Sequence, residues 1–363
     1  MEKRDYNVDL FRVIATIFVV ILHVLGQGGI LAKASPDGAT YWIGWLLEIL
    51  AYCAVNCFVL ISGYVMVNKT TKLKNIIGLW FQVLFYSILI SGLLFVFVPE
   101  TRSIKNFAVA FLPVLGRQWW YVSSYFALFF AIPILNAAIN NISKKTFEKF
   151  LLIILVGVCI ADCAVPKDPF AINSGYSAIW LILLYFFGAY IRKYDLKDKV
   201  TAPKSALAFA ILIILTFLSK ICIHFATQKI FGEAKLDNMF VSYISVTIVL
   251  AAVSLFLFCL NAKISNFLQK TVRFFSPATF GVYLIHDHPV VSQYILKDAF
   301  AGFANQSFAI MPLSVLAVTL AIFLSCSVID LIRIRIFKLI RINRLCEMID
   351  DQITKRLLKK FAE

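Results

Sequence analysis

Long apolar stretches recur along the whole chain of 363 residues and leave little room for a soluble domain. A bilayer-spanning helix needs about 20 mostly apolar residues. Ten stretches meet or approach this length, at approximately 8–27, 41–67, 76–98, 120–140, 150–165, 178–192, 205–226, 240–260, 274–296 and 309–332. Hydrophobic residues make up 61% of the sequence, where soluble domains have about 45–50%. The sequence therefore predicts an all-α, polytopic membrane helix bundle with about ten transmembrane helices.

The basic residues are divided unevenly between the connecting segments. With the N-terminus in the cytosol, the inner segments hold 25 Lys and Arg residues and the outer segments hold 8, as the positive-inside rule requires. The net charge of +15 thus indicates orientation in a membrane rather than a nucleic-acid partner. We expect a multi-pass protein of the cell membrane with both termini cytoplasmic. Its transmembrane domain covers 1–337, and a basic amphipathic tail over 338–363 lies on anionic inner-leaflet lipid.

The remaining cysteine, lysine and histidine patterns give little sign of a second site. The eight cysteines form no CxxC pair and no cluster with metal-ligand spacing, so we predict no disulfide and no metal. Lys220 and His224 lie one turn apart near the outer end of the seventh span, where we expect them to extend toward the headgroups.

Two polar residues stand out in the first span, Arg12 and His23. Their separation of eleven residues corresponds to about three full turns and about 16 Å of helix, so they share one face. Ionisable residues at this depth usually face the bundle interior or a wet cavity. The face then presents a cation near the cytosol and a titratable base near the outer side. The alternatives are that Arg12 extends toward the inner headgroups or pairs with Asp9, and that His23 bonds a backbone carbonyl.

The second span carries polar residues at the same two depths. Glu48 falls near the depth of His23, where it would orient the imidazole as the acid of a triad does, or lie in a polar pocket. Ser62 and Gly63 fall near the depth of Arg12. They would bind a ligand of the inner half, or serve tight helix packing through small residues.

A third group of candidates lies on the outer side. Trp119, Trp120 and Tyr121 begin the fourth span, where aromatic residues either stack on a sugar or form an interfacial belt. The adjacent Arg117 would bind an acidic glycan or a lipid headgroup. His286 closes the motif "TFGVYLIH" of the ninth span.

These motifs resemble those of the acyltransferase-3 family of membrane acyltransferases. The resemblance rests on Arg-x10-His, on "FVLISGY" in the second span, on "QWWYV" and on "TFGVYLIH", and it covers all ten spans. Gln118 departs from the family, which often has histidine there. The resemblance implies an enzyme that moves an acyl group, by default acetyl, from cytosolic acyl-CoA to a hydroxyl of an extracytoplasmic or lipid-linked glycan. Acyl-CoA is then a co-substrate, and no cofactor is bound.

Roles follow for the residues that match this pattern. His23 would act as base or nucleophile with Glu48 as its partner, and Arg12, Ser62 and Gly63 would bind the donor. The acceptor side would be formed by Arg117, Trp119, Trp120, Tyr121 and His286. Two other functions remain open: a transporter or flippase for a polar solute, and a sensor or scaffold subunit of a glycan assembly complex.

Overall fold

The computed structural model describes residues 4–164 and 168–362, which form helices and turns with no β-strand among them. The prediction of an all-α fold is therefore confirmed. The main helices are α1 (Tyr6–Leu25), α2 (Ala39–Ala51), α3 (Ala54–Met66), α4 (Leu73–Phe97), α5 (Trp120–Asn141), α6 (Lys144–Ile153), α7 (Ala178–Lys193), α8 (Ala202–Phe231), α9 (Val246–Asn261), α10 (Asn266–Phe275), α11 (Thr279–His286), α12 (Met311–Leu339) and α13 (Ile342–Ala362).

Six helical stretches in the described part of the chain are long and apolar enough to cross a membrane. They are Tyr6–Lys33, Ala39–Met66, Leu73–Phe97, Trp120–Asn141, Ala202–Phe231 and Met311–Leu339. The other predicted spans correspond to shorter or interrupted helices. α7 and α9 have 16 residues each, and α6 continues into a π-helical segment over Ile154–Ile160. The count of ten spans therefore stays a prediction.

Helix α1 is the central element of the bundle, and it packs against α2, α3, α9, α10, α11 and α12. Its first turn is capped by Asp5, whose carboxylate accepts from the backbone N–H groups of Asn7 and Val8. The Asn7 amide donates to the carbonyl oxygens of Cys259 and Leu260 at 2.7 and 3.0 Å. These contacts tie the start of α1 to the end of α9 and fix the position of the face that carries Arg12 and His23.

Two features of the second span set its geometry. The helix is interrupted at Tyr52 and Cys53, between α2 and α3. Helix α3 then approaches α7 very closely, because a Cβ added at Gly63 would lie 2.2 Å from the Tyr185 carbonyl oxygen, and one at Gly188 would lie 2.2 Å from that of Leu60. Only glycine fits these two positions, so they define the α3–α7 crossing.

The C-terminal helix α13 is docked on the N-terminal end of α4. Lys74 Nζ binds Glu347 Oε1 at 2.9 Å, and its backbone N–H donates to Asp350 Oδ2 at 3.2 Å. The turn that separates α13 from α12 contains Arg341 at φ +57°, a few residues beyond the predicted domain boundary. The tail is therefore a helix packed on the bundle.

Candidate active site

A cavity of about 240 Å³ connects the two polar residues of α1. Its walls come from α1, α3, α4, α5, α11 and the loop before α9. The walls are mostly aliphatic and aromatic between the two polar ends, and the lining residues are Arg12, Thr16, Val19, Leu22, His23, Val55, Phe58, Ile61, Ser62, Leu79, Trp120, Tyr121, Tyr125, Tyr243, Thr279, Phe280, Tyr283 and Asp287. The shared face predicted for Arg12 and His23 is thus the face that lines this cavity.

The imidazole of His23 belongs to a short chain of hydrogen bonds. Its Nδ1 lies 2.9 Å from Nε2 of His286, and Nδ1 of His286 lies 2.6 Å from the carbonyl oxygen of Val282. A carbonyl can only accept, so His286 Nδ1 is the donor in that contact. With both rings neutral, His286 Nε2 is then an acceptor and His23 Nδ1 carries its proton. The remaining nitrogen of His23, Nε2, keeps a lone pair.

A carboxylate lies beside this pair. Asp287 Oδ1 is 3.7 Å from His23 Nδ1 and accepts a hydrogen bond from Gln27 Nε2 at 3.3 Å. Asp287 is positioned where α11 ends, just before Pro289, which cannot continue the helix. Sequence reasoning did not assign Asp287 or Gln27 to the site. The available signals were that Gln27 lies one turn beyond His23 and that Asp287 directly follows His286.

The structure does not bring Glu48 to His23, which corrects the orienting role predicted for it. Glu48 is buried, and its Oε2 has no hydrogen-bond partner within the described residues. The side chains of Tyr52 and Tyr243 are close enough to interact electrostatically with Glu48. Glu48 does not line the cavity, and the carboxylate found beside His23 is that of Asp287.

At the inner end of the cavity, Arg12 is held in place without being enclosed. Its Nη1 donates to Asp9 Oδ1 at 2.9 Å and to Ser276 Oγ at 3.0 Å, and Arg4 pairs with the other oxygen of Asp9 at 2.5 Å. The Arg12 side chain is 32% exposed, against 7% for Asp9. Both contacts use Nη1, so the rest of the guanidinium fork can meet a ligand in the cavity. The pairing with Asp9 that the sequence suggested is present together with the cavity position.

The two donor-side candidates of the second span, Ser62 and Gly63, have different surroundings in the structure. Ser62 lines the cavity, and its Oγ donates to the Phe58 carbonyl at 3.1 Å. Gly63 faces the other way, against Tyr185 and Gly188 of α7. The donor-binding role predicted for Gly63 is corrected to helix packing, because its missing side chain is what permits the α3–α7 approach.

The candidates for the acceptor side also differ in whether they line the cavity. Trp120 and Tyr121 line the cavity, whereas Trp119 is buried beside it with its ring 5.2 Å from that of His288. Arg117 is exposed in the loop before α5 at φ +50° and does not line the cavity. His286 does not line the cavity but forms a hydrogen bond with His23, which does. Of the acceptor-side candidates, only Trp120 and Tyr121 thus contact the cavity directly.

Lys220 and His224 do not extend toward the headgroups as predicted. Lys220 is fully buried over the Trp45 ring at 3.6 Å from its centroid, and its Nζ binds Asp237 Oδ2 at 2.9 Å. His224 Nδ1 lies 3.1 Å from the same oxygen. Burial raises the pKa of Asp237, but the hydrogen bonds from Lys220 and His224 outweigh it and leave the pKa below its ordinary value. This cluster anchors the loop over 232–245 to α8.

Within the described residues there is no group of three His, Cys, Asp or Glu side chains that could hold a metal ion. None of the eight cysteines, all of which lie in the described residues, forms a disulfide. The polar groups of the cavity are therefore an imidazole pair, a carboxylate, a guanidinium and hydroxyls. Such a set can bind an anion at one end and move a proton at the other.

Comparison with known proteins agrees with this chemistry. A family model described as an acyltransferase domain matches residues 5–331, which include every helix that contributes to the cavity. No curated protein and no solved structure matches the chain.

Proposed function

The chain belongs to the acyltransferase-3 family of membrane acyltransferases, and on that basis we propose that it moves an acyl group from cytosolic acyl-CoA to a hydroxyl of an extracytoplasmic or lipid-linked glycan. The acyl group is taken to be acetyl. The observation that carries the proposal is the hydrogen-bond chain from Val282 through His286 to His23, which leaves a bare Nε2 on a cavity-lining histidine.

The proposed donor position follows from the two ends of the cavity. Arg12 presents a planar guanidinium at the inner end, which suits the phosphates of CoA. From Arg12 to His23 the helix rises about 16 Å, a distance comparable with an extended pantetheine arm. The aliphatic and aromatic walls between them suit that arm, which has few charges. The thioester then lies beside His23, and the acyl group never needs to leave the protein on its way to the acceptor.

The proposed chemistry uses the bare Nε2 as a general base. As His23 Nε2 takes the proton of the acceptor hydroxyl, the hydroxyl oxygen attacks the thioester carbonyl carbon. The C–S bond of the resulting tetrahedral intermediate breaks, and the imidazolium returns its proton to the CoA thiolate. Asp287 stabilises the imidazolium, since its carboxylate is 3.7 Å from Nδ1. Direct attack of Nε2 on the thioester would instead give an acyl-histidine, and both routes use the same lone pair.

The decisive experiment compares histidine variants in nanodiscs that are supplied with radiolabelled acetyl-CoA and a cell-envelope glycan fraction. His23→Gln keeps a hydrogen-bonding side chain but has no basic nitrogen, so transfer to the glycan should fall at least about a hundred-fold. His288→Gln is the control, because His288 is a second buried histidine that does not line the cavity, and it should retain transfer. Wild-type transfer by a well-folded His23→Gln protein would overturn the proposal.

The same assay tests the donor requirement. An acyltransferase modifies the glycan only when acyl-CoA is present, whereas a transporter or flippase needs a gradient or no donor. Acid quenching after incubation with acetyl-CoA alone, followed by mass spectrometry of the intact chain, reveals an acyl-histidine if that route operates.

A further inference from the structure

Helix α10 is too short to cross the membrane, and it is not a core helix either. It has 10 residues, about half of the length that a spanning helix needs. The structure describes all of these residues, and only Val272 among them is buried. A short helix in a membrane protein lies in the core, re-enters the membrane or lies at the membrane interface. Because nearly all of α10 is accessible, the interface is the environment that fits it.

The exposed face of α10 combines two aromatic rings with a cation. Phe267 is 79% exposed and Phe274 is 55% exposed, and their separation of seven residues places them on one face of the helix. Lys270 lies between them along the helix and nearly opposite to the buried Val272. The stem of a lysine can lie along apolar surface while its ammonium group stays among the headgroups. Helices that lie in the membrane interface have this combination of phenylalanine and lysine.

The positive charge of this region is not compensated by nearby acidic residues. Lys263, Lys270 and Arg273 are all exposed, and the segment 261–278 contains no Asp or Glu. None of these three cations forms an ion pair with a carboxylate of the described residues. Exposed cations beside exposed phenylalanine rings fit a ligand that has both negative charge and an apolar part.

Contacts at the C-terminal end of α10 fix its level in the bundle. Arg4 Nη2 donates to the Arg273 carbonyl oxygen at 3.4 Å. Ser276, directly after the helix, donates to Asp9 Oδ1 at 2.6 Å and accepts from Arg12 Nη1 at 3.0 Å. The exposed face of α10 therefore meets the membrane leaflet on the side of Arg12. In the orientation that the basic residues predict, this is the cytoplasmic leaflet, which carries anionic lipids.

We propose that the exposed face of α10 binds an anionic phospholipid of this leaflet. The rings of Phe267 and Phe274 lie at the boundary between acyl chains and headgroups, and Lys270 and Arg273 bind the lipid phosphate. A zwitterionic headgroup also has a phosphate, but its own cation cancels much of the attraction, so the face prefers a lipid of net negative charge. This binding does not depend on acyl transfer, so the proposal and the proposed function can fail separately.

The test is site-directed photo-crosslinking of the full chain in nanodiscs that contain equal amounts of phosphatidylglycerol and phosphatidylcholine, one of them tritiated. Benzoylphenylalanine in place of Phe267 should be labelled at least about five-fold more by phosphatidylglycerol than by phosphatidylcholine. Benzoylphenylalanine in place of Phe130, which is 59% exposed in the middle of α5, is the control position and should be labelled by both lipids alike. Equal labelling by the two lipids at position 267, or no labelling there, would overturn the proposal.

Charge variants then identify the residues responsible. With the probe at position 267, Lys270→Gln combined with Arg273→Gln should lower the preference to about two-fold or less. The matched control is Lys145→Gln combined with Lys149→Gln, which removes the same charge from exposed positions of α6, another helix of 10 residues, and should leave the preference unchanged. Both double variants should keep the wild-type melting temperature, because all four side chains are exposed. An unchanged preference in the α10 variant, or an equal loss in the α6 variant, would contradict the proposal. Displacement of the lipid by excess CoA would assign these cations to the donor instead.

Discussion

The protonation pattern of His23 is decided two contacts away, at a backbone carbonyl. The carbonyl oxygen of Val282 can only accept a hydrogen bond, so His286 must donate to it from Nδ1. The other ring nitrogen of His286, Nε2, is then the acceptor for His23 Nδ1. In a triad a carboxylate fixes the tautomer of the base. Here a second imidazole does so, and Asp287 lies just outside hydrogen-bonding distance. His286 is therefore a positioning residue, because it acts on the reaction only through His23.

This arrangement predicts different outcomes for two substitutions of His286. In His286→Gln, the amide oxygen can still accept from His23 Nδ1, so kcat should fall less than about ten-fold. His286→Leu offers no acceptor, and loss of the correct tautomer should lower kcat by about a hundred-fold or more. The measurement is steady-state acyl transfer with acetyl-CoA varied, and KM for acetyl-CoA should stay unchanged in both variants. Equal losses in the two variants would mean that the pair serves only packing.

Arg12 carries the prediction for the donor end. Arg12→Ala should raise KM for acetyl-CoA by about ten-fold or more, since a charged hydrogen bond to phosphate is removed. Arg12→Lys should recover only part of this, because lysine lacks the planar fork. Dephospho-CoA and free CoA, tested as competitors, separate phosphate contacts from pantetheine contacts. If neither variant changes the KM for the donor, Arg12 serves only to anchor Asp9 and Ser276.

Spacing along one helix could be predicted from the sequence, but contacts between helices could not. The eleven-residue interval correctly placed Arg12 and His23 on one face. The partner of His23, by contrast, lies 263 residues away along the chain, and its position depends on how α11 packs against α1. Glu48 shows the same limit. Counting along a span gives the depth of a residue but not the direction in which it faces, so the sequence assigned Glu48 to His23, whereas the carboxylate found beside His23 is Asp287.

At the scale of elements, the predicted spans coincide with helices wherever an apolar run is uninterrupted. The fourth predicted span, 120–140, is found as Trp120–Asn141. The ninth, 274–296, is divided by Pro277 and Pro289, so α10 ends at Phe275 and α11 ends at His286. Apolar composition continues through these breaks because the segment stays inside the bundle. Each proline lacks a backbone N–H and so cannot continue the preceding helix, which is why the ninth predicted span is found as separate short helices.

The α3–α7 crossing gives a prediction with an internal control. Gly63→Ala places a Cβ 2.2 Å from the Tyr185 carbonyl oxygen, so the helices must separate, at a cost of about 1–3 kcal/mol. Gly92→Ala, on α4, has no atom within 4 Å of the added Cβ, and alanine favours a helix interior. In detergent, Gly63→Ala should lower the melting temperature, and Gly92→Ala should leave it unchanged or raise it. A stable Gly63→Ala protein would contradict the packing role and return Gly63 to the candidates for donor binding.

At the scale of the whole molecule, the direction of transfer depends on the orientation of α1. Arg12 must face the cytosol if the phosphates of acyl-CoA bind there, and the acceptor must then bind toward the outside. Six stretches have the length and composition of membrane-spanning helices, while four predicted spans are shorter or interrupted. An even number of crossings places both termini on one side. The distribution of Lys and Arg separates the two counts at one segment: ten crossings keep Lys263, Lys270 and Arg273 on the inner side with most of the basic residues, whereas six crossings would place them outside.

Cysteine labelling of intact cells tests this orientation. Asn141, at the end of α5, and Asp37, before α2, are both exposed, so a thiol at either position is accessible to reagent on its own side. Asp37→Cys should react with a membrane-impermeant maleimide added outside. Asn141→Cys should react only after permeabilisation, because it adjoins the basic segment that begins at Lys144 and the positive-inside rule places that segment in the cytosol. The wild type is labelled in parallel, since Cys222 is itself exposed. The reverse pattern would invert α1 and put Arg12 on the side where no acyl-CoA is found. Labelling of both sites in intact cells would place residues 37 and 141 on the same side, so one of the three spans between them (α2 with α3, α4, or α5) would not cross the membrane.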